Sequence, residues 1–296
     1  MGRAKDILVK PIAARDANRI IRALHYSGKV VQNSQVHFGV FLDGKCGGAL
    51  QFGPSLDKRK MLGLVEGTLW NEFIELNRMA LADWLPRNGE SRAIATALRL
   101  LKRQYPHLKW VVSFADGCQC GDGTIYRAAG FVLTGIKRNN QLWRAPSGEQ
   151  FTSHACRNVD HHTKEHARAV RVFSRTSLTD GRSKQQQQQA AAIVSRTTTT
   201  TKGKHILNSG ASSMAAFKQA GWEPIPGFQL RYIYFLDPTA RDRLTVPIIP
   251  FSEIGNRGAG MYRGKPRVGS VGSDTSAVQA GEGGATPTPT LCEVAK

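Results

Sequence analysis

The chain has 296 residues, of which 41% are hydrophobic, enough to bury a sizeable core and too many for a disordered protein. Lys and Arg number 41 against 22 Asp and Glu, a net charge of +19. A surplus of this size points to a polyanionic partner, and nucleic acid ranks ahead of anionic membrane because no basic amphipathic helix with a strong apolar face stands out.

The charge is uneven: +11 falls in residues 1–146, +7 in 147–220 and +1 in 221–296. No apolar run approaches the roughly 18 residues of a membrane span, and neither a signal peptide nor a myristoylation site opens the chain. Five scattered cysteines, an odd number, argue against a disulfide framework and fit a reducing compartment, so a soluble intracellular protein is expected.

In chain order, Pro11 opens a helical pattern through Ala13, Ala17, Ile20, Ile21 and Leu24, ending near His25-Tyr26-Ser27-Gly28 with Gly28 as C-cap. Val36 to Leu42 and Cys46 to Phe52 read as a hairpin about Asp43-Gly44. Phe73 to Leu81 alternates as a strand, and the loop from Asp83 to Glu90 leads into a helix from Ser91 to about Tyr105. Lys109 to Ala115 is a buried strand, Gly123 to Ala129 a short helix, and Phe131 to Trp143 a strand with a polar bend at Asn139-Asn140. Helices between strands in this order predict an α/β or α+β fold built on one sheet.

Past Pro146 the composition changes, and the Gln and Thr runs between Lys184 and Thr201 predict a linker inside a basic insertion, residues 147–213. Residues 214–254 return to the core, with Leu230 to Leu236 as a strand that completes the sheet. Residues 255–296 are expected to form a disordered tail.

Two constellations carry chemistry. The loop with Arg87, Asn88, Gly89 and Ser91 before a helix start suits a phosphate or pyrophosphate, although this motif alone favours an ordinary N-terminus capped by Ser91. His25-Tyr26, Asp116 at the end of a buried strand, and Tyr126 in the short helix after it stand at the ends of neighbouring elements, where they could converge. Imidazole, carboxylate and phenolate form a hard-ligand set suited to non-haem iron; each residue also has an ordinary structural account. A rival metal set for zinc, His154, Cys156, His161, His162 and His166, meets the usual zinc spacing only loosely.

The element order resembles the GNAT acetyltransferase fold, a mixed sheet flanked by helices. There the loop reads Gln/Arg-x-x-Gly-x-Gly/Ala; here Pro86, Gly89 and Ser91 stand at its three defined positions. The resemblance implies acetyl-coenzyme A or a related donor as a candidate cofactor. In many acetyltransferases of that fold a tyrosine of the helix after the equivalent strand donates a proton to the leaving thiolate, and the resemblance gives Tyr126 this second reading. His25-Tyr26, Trp110 to Asp116 with Ile125 to Phe131, and Gly227 to Leu236 resemble the Mom DNA-modification proteins of Mu-like bacteriophages. That resemblance, from about Ala23 to Ile254, implies conversion of adenine in DNA to the N6-carbamoylmethyl (methylcarbamoyl) derivative, which shields phage DNA from restriction. It nominates His25, Tyr26, Asp116 and Tyr126 for iron (Fe2+) binding and activity, and it implies work on double-stranded DNA in the cytoplasm of an infected host, with a homodimer as a candidate state.

Adenine N6 is a poor nucleophile inside a paired stack, so base flipping and an aromatic stacking partner are expected, from Trp70, Trp143, Phe52 or Tyr26. Arg127, Lys137, Arg138 and Arg144, with Arg168, Arg171 and Arg175, are candidate phosphate contacts, and a solvated face is the alternative for each. Two other readings stand beside this one: a coenzyme A-dependent N-acyltransferase acting on a protein or small amine, and a non-catalytic DNA-binding protein.

Overall fold

A computed structural model describes residues 2–157, 165, 167–169, 171–173, 197–199, 205–207, 214, 217–218, 220–262 and 265–267. A seven-stranded sheet organises them. Its strands are β1 (Leu8–Pro11), β2 (Val36–Leu42), β3 (Lys45–Gly53), β4 (Phe73–Leu81), β5 (Trp110–Asp116), β6 (Val132–Arg138) and β12 (Phe228–Phe235), in the order β1-β2-β3-β4-β5-β12-β6. Only β4 and β5 run parallel, as expected of a mixed sheet flanked by helices.

The alternation read in the sequence decides the faces. On one face Ala17 and Ile21 of α1 (Ala14–Leu24) sit against Ala49 and Ala80, whose small side chains let the helix approach. The short helix α2 (Lys58–Leu62), capped by the Asp57 carboxylate on the Lys60 amide, bridges β3 and β4. On the other face Phe38, Val40 and Leu42 of β2, Ile74 and Leu76 of β4 and Val111 and Ala115 of β5 join Ile94, Ala97, Leu98 and Leu101 of α3 (Gly89–Gln104) in the main core. A further cluster holds Val112 and Ile233 with Phe73 and Trp110, whose rings stack with centroids 4.4 Å apart. The β2–β3 turn sets Asp43 at φ 50° and Gly44 at φ 76°, the left-handed pair a tight hairpin requires.

Several boundaries differ from the sequence reading. Pro11 closes an edge strand instead of opening the helix; it pairs with Phe38 at an edge where its missing N–H costs nothing. The first helix ends at Leu24, with Gly28 (φ 59°) forming the turn beyond it. The cap of α3 is Asn88 at φ 66°, and Ser91 Oγ donates to Asn88 O, so Ser91 lies inside the first turn.

The segment from Phe131 to Trp143 is two strands, β6 and β7 (Leu142–Arg144), parted by the bend foreseen at Asn139. The Asn139 carboxamide makes that bend, accepting from the Gln141 and Leu142 amides and donating to Leu142 O and Ile225 O. Strands β7, β8 (Gln150–Thr152) and β11 (Glu223–Pro224) form a separate sheet over its own core of Trp143, Phe151, Phe173, Phe217 and Trp222. Inside the expected linker and insertion, β9 (Thr197–Thr199) pairs antiparallel with β10 (His205–Leu207).

A helix, Ser252–Asn256, runs across the expected start of the tail, and within the stretch expected to be disordered Met261–Tyr262 pairs with Lys265–Pro266. The Asp122 amide donates to Met261 O, which ties this segment to the loop after β5. The Gln run and residues 268–296 lie outside the described residues.

Candidate functional site

Strands β4 and β5 are paired only from Phe73–Trp110 to Glu75–Val112. Beyond that point β4 continues to Leu81 and β5 to Asp116 without pairing, so a crevice opens at the carboxyl end of β5. Antiparallel β12 lines its other side and sets Gln229 opposite Asp116.

Asp116 is the best-held group there. Its Oδ1 accepts from the Cys118 amide at 3.0 Å and from Gln229 Nε2 at 2.9 Å, and its Oδ2 accepts from Tyr26 Oη at 3.5 Å. Burial pushes its carboxyl above the usual range, and the donors offset only part of that push. Tyr26 follows the end of α1 and is 54% exposed, yet burial of its hydroxyl end and the nearby Asp116 push the phenol up, so it is protonated at neutral pH. His25 packs its ring on Tyr26 with centroids 4.2 Å apart.

Burial first, and then the Arg78 guanidinium, lowers His25 to about 4, so its ring is neutral. The Ser27 amide, which can only donate, points at His25 Nδ1 from 3.1 Å. Nδ1 is therefore the acceptor and Nε2 carries the proton.

Tyr126, in α4 (Thr124–Ala128), stands apart. It is buried in the main core between Phe131 and Tyr232, beside Ser113, whereas Asp116 belongs to the alternate positions of β5 that face the other way. Burial pushes its phenol up to about 12. Gly123, at φ 82°, starts this helix directly against the Tyr232 ring, whose hydroxyl donates to Asp122 O. The structure thus brings His25, Tyr26 and Asp116 together and leaves Tyr126 behind the sheet.

The four residues expected for iron are not gathered at one point: His25, Tyr26 and Asp116 share the crevice and Tyr126 lies in the main core. Among the described residues no group of three or more His, Cys, Asp or Glu gathers to hold a metal. Of the rival zinc set, His161, His162 and His166 lie outside the described residues, and Cys156 is fully buried in the second core.

At the first turn of α3, Arg87 and Asn88 are exposed and Gly89 is buried, where a Cβ would meet Ile7 Cδ1 at 3.0 Å; its amide is bonded to Pro86 O. Burial and then Asp83 push the neighbouring Glu90 carboxyl up.

The candidate DNA contacts divide. Arg127 is paired at 3.2 Å with Asp122, which is 3% exposed, so its charge serves the fold. Arg144 pairs with Glu223 at 2.9 Å and Arg168 with Glu149 at 3.0 Å, while Arg175 lies outside the described residues. Lys137 and Arg138 project from the end of β6, exposed, with Lys137 opposite Gln229. Of the proposed stacking rings, Phe52 is fully buried and Trp143 is 5% exposed in the second core. Trp70 is exposed with Lys58 Nζ 4.6 Å from its centroid, but it precedes the start of β4, at the end of the sheet away from Asp116. Tyr26 alone of the four is both open and at the crevice.

Sequence reasoning missed Gln229. A polar side chain inside an otherwise alternating strand was its signal, but only the strand order sets it against Asp116.

Among solved structures, the chain superposes on an IAA acetyltransferase from Bacillus cereus (11% identity, TM-score 0.33, 45% of this chain and 82% of that one). It also superposes on the ribosomal-protein-S18-alanine N-acetyltransferase of Escherichia coli (14%, 0.32, 49% and 88%). In sequence, 133 residues are 41% identical to the methylcarbamoylase mom of Escherichia phage Mu, a stretch that is 45% of this chain and 55% of that protein. Residues 6–187, well over half of the chain, match the model of the Mom protein family, and the chain belongs to that family.

Proposed function

We propose that the protein is a transferase that modifies DNA, placing a carbamoylmethyl group on adenine N6. The observation that carries this reading is Asp116: a carboxylate fixed through Oδ1 by two donors, with Oδ2 turned to an open crevice beside an exposed aromatic ring. Kinship with a methylcarbamoylase supports the group transferred.

In this reading N6–H of an extruded adenine donates to Asp116 Oδ2. As the N6–C bond forms and the donor's leaving group departs, the N6 proton passes to that oxygen, so nitrogen never builds up full positive charge. A raised carboxyl pKa suits a base that must also release the proton to water. Tyr26 donates to the same oxygen and keeps it in place when the base is absent. His25, neutral and anchored through Ser27, buttresses the Tyr26 ring.

A coenzyme A-type donor would have to supply the methylene carbon of the carbamoylmethyl group bound to sulfur, since a thioester attacked at its carbonyl would give an N6-acyl adenine instead. Arg87 and the amides of Glu90 and Ser91 at the start of α3 are the groups of this chain that would meet its phosphates. We assign Tyr126 the part of proton donor to a leaving thiolate from its protonated state alone, since it lies buried behind the sheet from Asp116.

Nucleoside mass spectrometry of DNA from cells expressing wild type and Asp116→Asn tests the proposal. A carbamoylmethyl adenine present with wild type and absent with the variant is expected; unmodified adenine with wild type refutes it.

A further inference from the structure

Phe114 is an anomaly. It lies in the middle of the sheet on β5, flanked in order by β4 and β12, yet it is 39% exposed, whereas Val112, on the same face and two residues earlier, is fully buried. Two features open its ring. On one side β4 has already parted from β5, whose pairing ends at Glu75–Val112. On the other, its cross-strand partner Arg231 leans away across Gly135 of β6, bonding Thr134 Oγ1 at 3.0 Å and Thr134 O at 2.8 Å. A large apolar ring at such a position would ordinarily be covered.

Phe114 and Asp116 share one face of the strand, about 7 Å apart along it, the span of two residues. That is close to the length of a purine, so a base lying flat on Phe114 reaches Asp116 with its exocyclic amine. From the crevice geometry we infer that Phe114 is the platform on which the extruded target base stacks, with Tyr26 at its rim. The inference deepens the proposed function and rests on it for the identity of the base. Phe114 is a positioning residue: it sets the plane of the base and leaves the proton to Asp116.

The test needs no donor and no turnover. Full-length wild type, Phe114→Ala and Phe114→Tyr are titrated with two duplexes that differ only at one position, a bulged adenine in one and an abasic bulge in the other, with thermal melting to confirm that each variant folds. Stacking one base on an aromatic ring corresponds to a preference on the order of tenfold for the adenine duplex. Wild type and Phe114→Tyr are expected to show it, and Phe114→Ala to bind both duplexes alike while keeping its affinity for the abasic one. Equal binding of both duplexes by wild type, or an undiminished preference in a folded Phe114→Ala, overturns the inference. If the preference follows Phe114 but nucleoside analysis finds only ordinary adenine, the platform stands and the modification reading falls.

Discussion

The pH dependence of stability gives a measurement of the site that is independent of activity. His25 titrates near 6.5 when unfolded, and burial, with Arg78 adding to it, lowers it to about 4 in the folded protein. Between those values the unfolded chain binds the proton and the folded chain does not. Stability therefore falls as pH falls through this window, and is restored above it. At pH 5 the difference in binding amounts to about 2 kcal/mol, trimmed toward about 1 because the ring keeps some contact with solvent. The variant His25→Gln removes that proton without changing other titrating groups. Asp116, Glu75 and Glu90, all raised by burial, act in the opposite sense, and because wild type and variant share them they cancel in the comparison. Urea unfolding at pH 7.5 and pH 5 should show wild type losing about 1–2 kcal/mol more than His25→Gln over that interval. Equal losses would show that His25 is solvated and not packed on Tyr26 within reach of the Arg78 charge, and would undo the account of how Tyr26 is held.

Other outcomes follow from named contacts. Gln229→Leu removes one of two donors to Asp116 Oδ1, a charge-assisted bond worth about 1.5–3 kcal/mol, and should move the acid limb of the modification rate to higher pH by about tenfold or more in proton concentration; an unmoved limb refutes the contact. On the proposed role of Tyr126 as a proton donor, Tyr126→Phe should keep its melting temperature within a few degrees while activity falls about 10²-fold or more; a fully active variant refutes that role. Asp122→Ala, which leaves Arg127 and Arg267 without their buried carboxylate, should cost about 3 kcal/mol in chemical denaturation. For DNA binding, replacing Lys137 and Arg138 should flatten the logarithmic dependence of affinity on salt by about 0.9 for each phosphate that is no longer neutralised, whereas Arg127→Gln should lower stability and leave that slope unchanged.

Period-two alternation made β4 legible, an apolar run made the buried β5 legible, and the stripe of Ile94, Leu98 and Leu101 made α3 legible, because each pattern is local. Pro11 misled because a proline at N1 and a proline in an edge strand look alike until the neighbouring strand is known. The segment from Phe131 to Trp143 is apolar enough for one strand, but Asn139 spends its carboxamide on turning the chain into a second sheet. Ser91 has the chemistry of a cap, yet the left-handed Asn88 begins the helix and leaves the Ser91 hydroxyl inside its first turn.

The site divides along the same line between local and distant. His25, Tyr26 and Asp116 could be singled out because each ends an element, and ends converge. The groups that set their chemistry were illegible, since they depend on pairing across long separations: Gln229 reaches Asp116 from 113 residues away, because β12 enters the sheet between β5 and β6. Charge behaves likewise. A net +19 announces a polyanion, but whether a given arginine is free to meet it depends on the carboxylate beside it. Arg127 is held by Asp122 five residues earlier, and Arg144 by Glu223 on another strand. Lys137 stays exposed on the strand that aligns it with Gln229 and, one strand further, with Asp116. Under the proposed function a cation there would hold a phosphate flanking a base in the crevice, so the same sheet order would set both the carboxylate's environment and the path of the DNA strand.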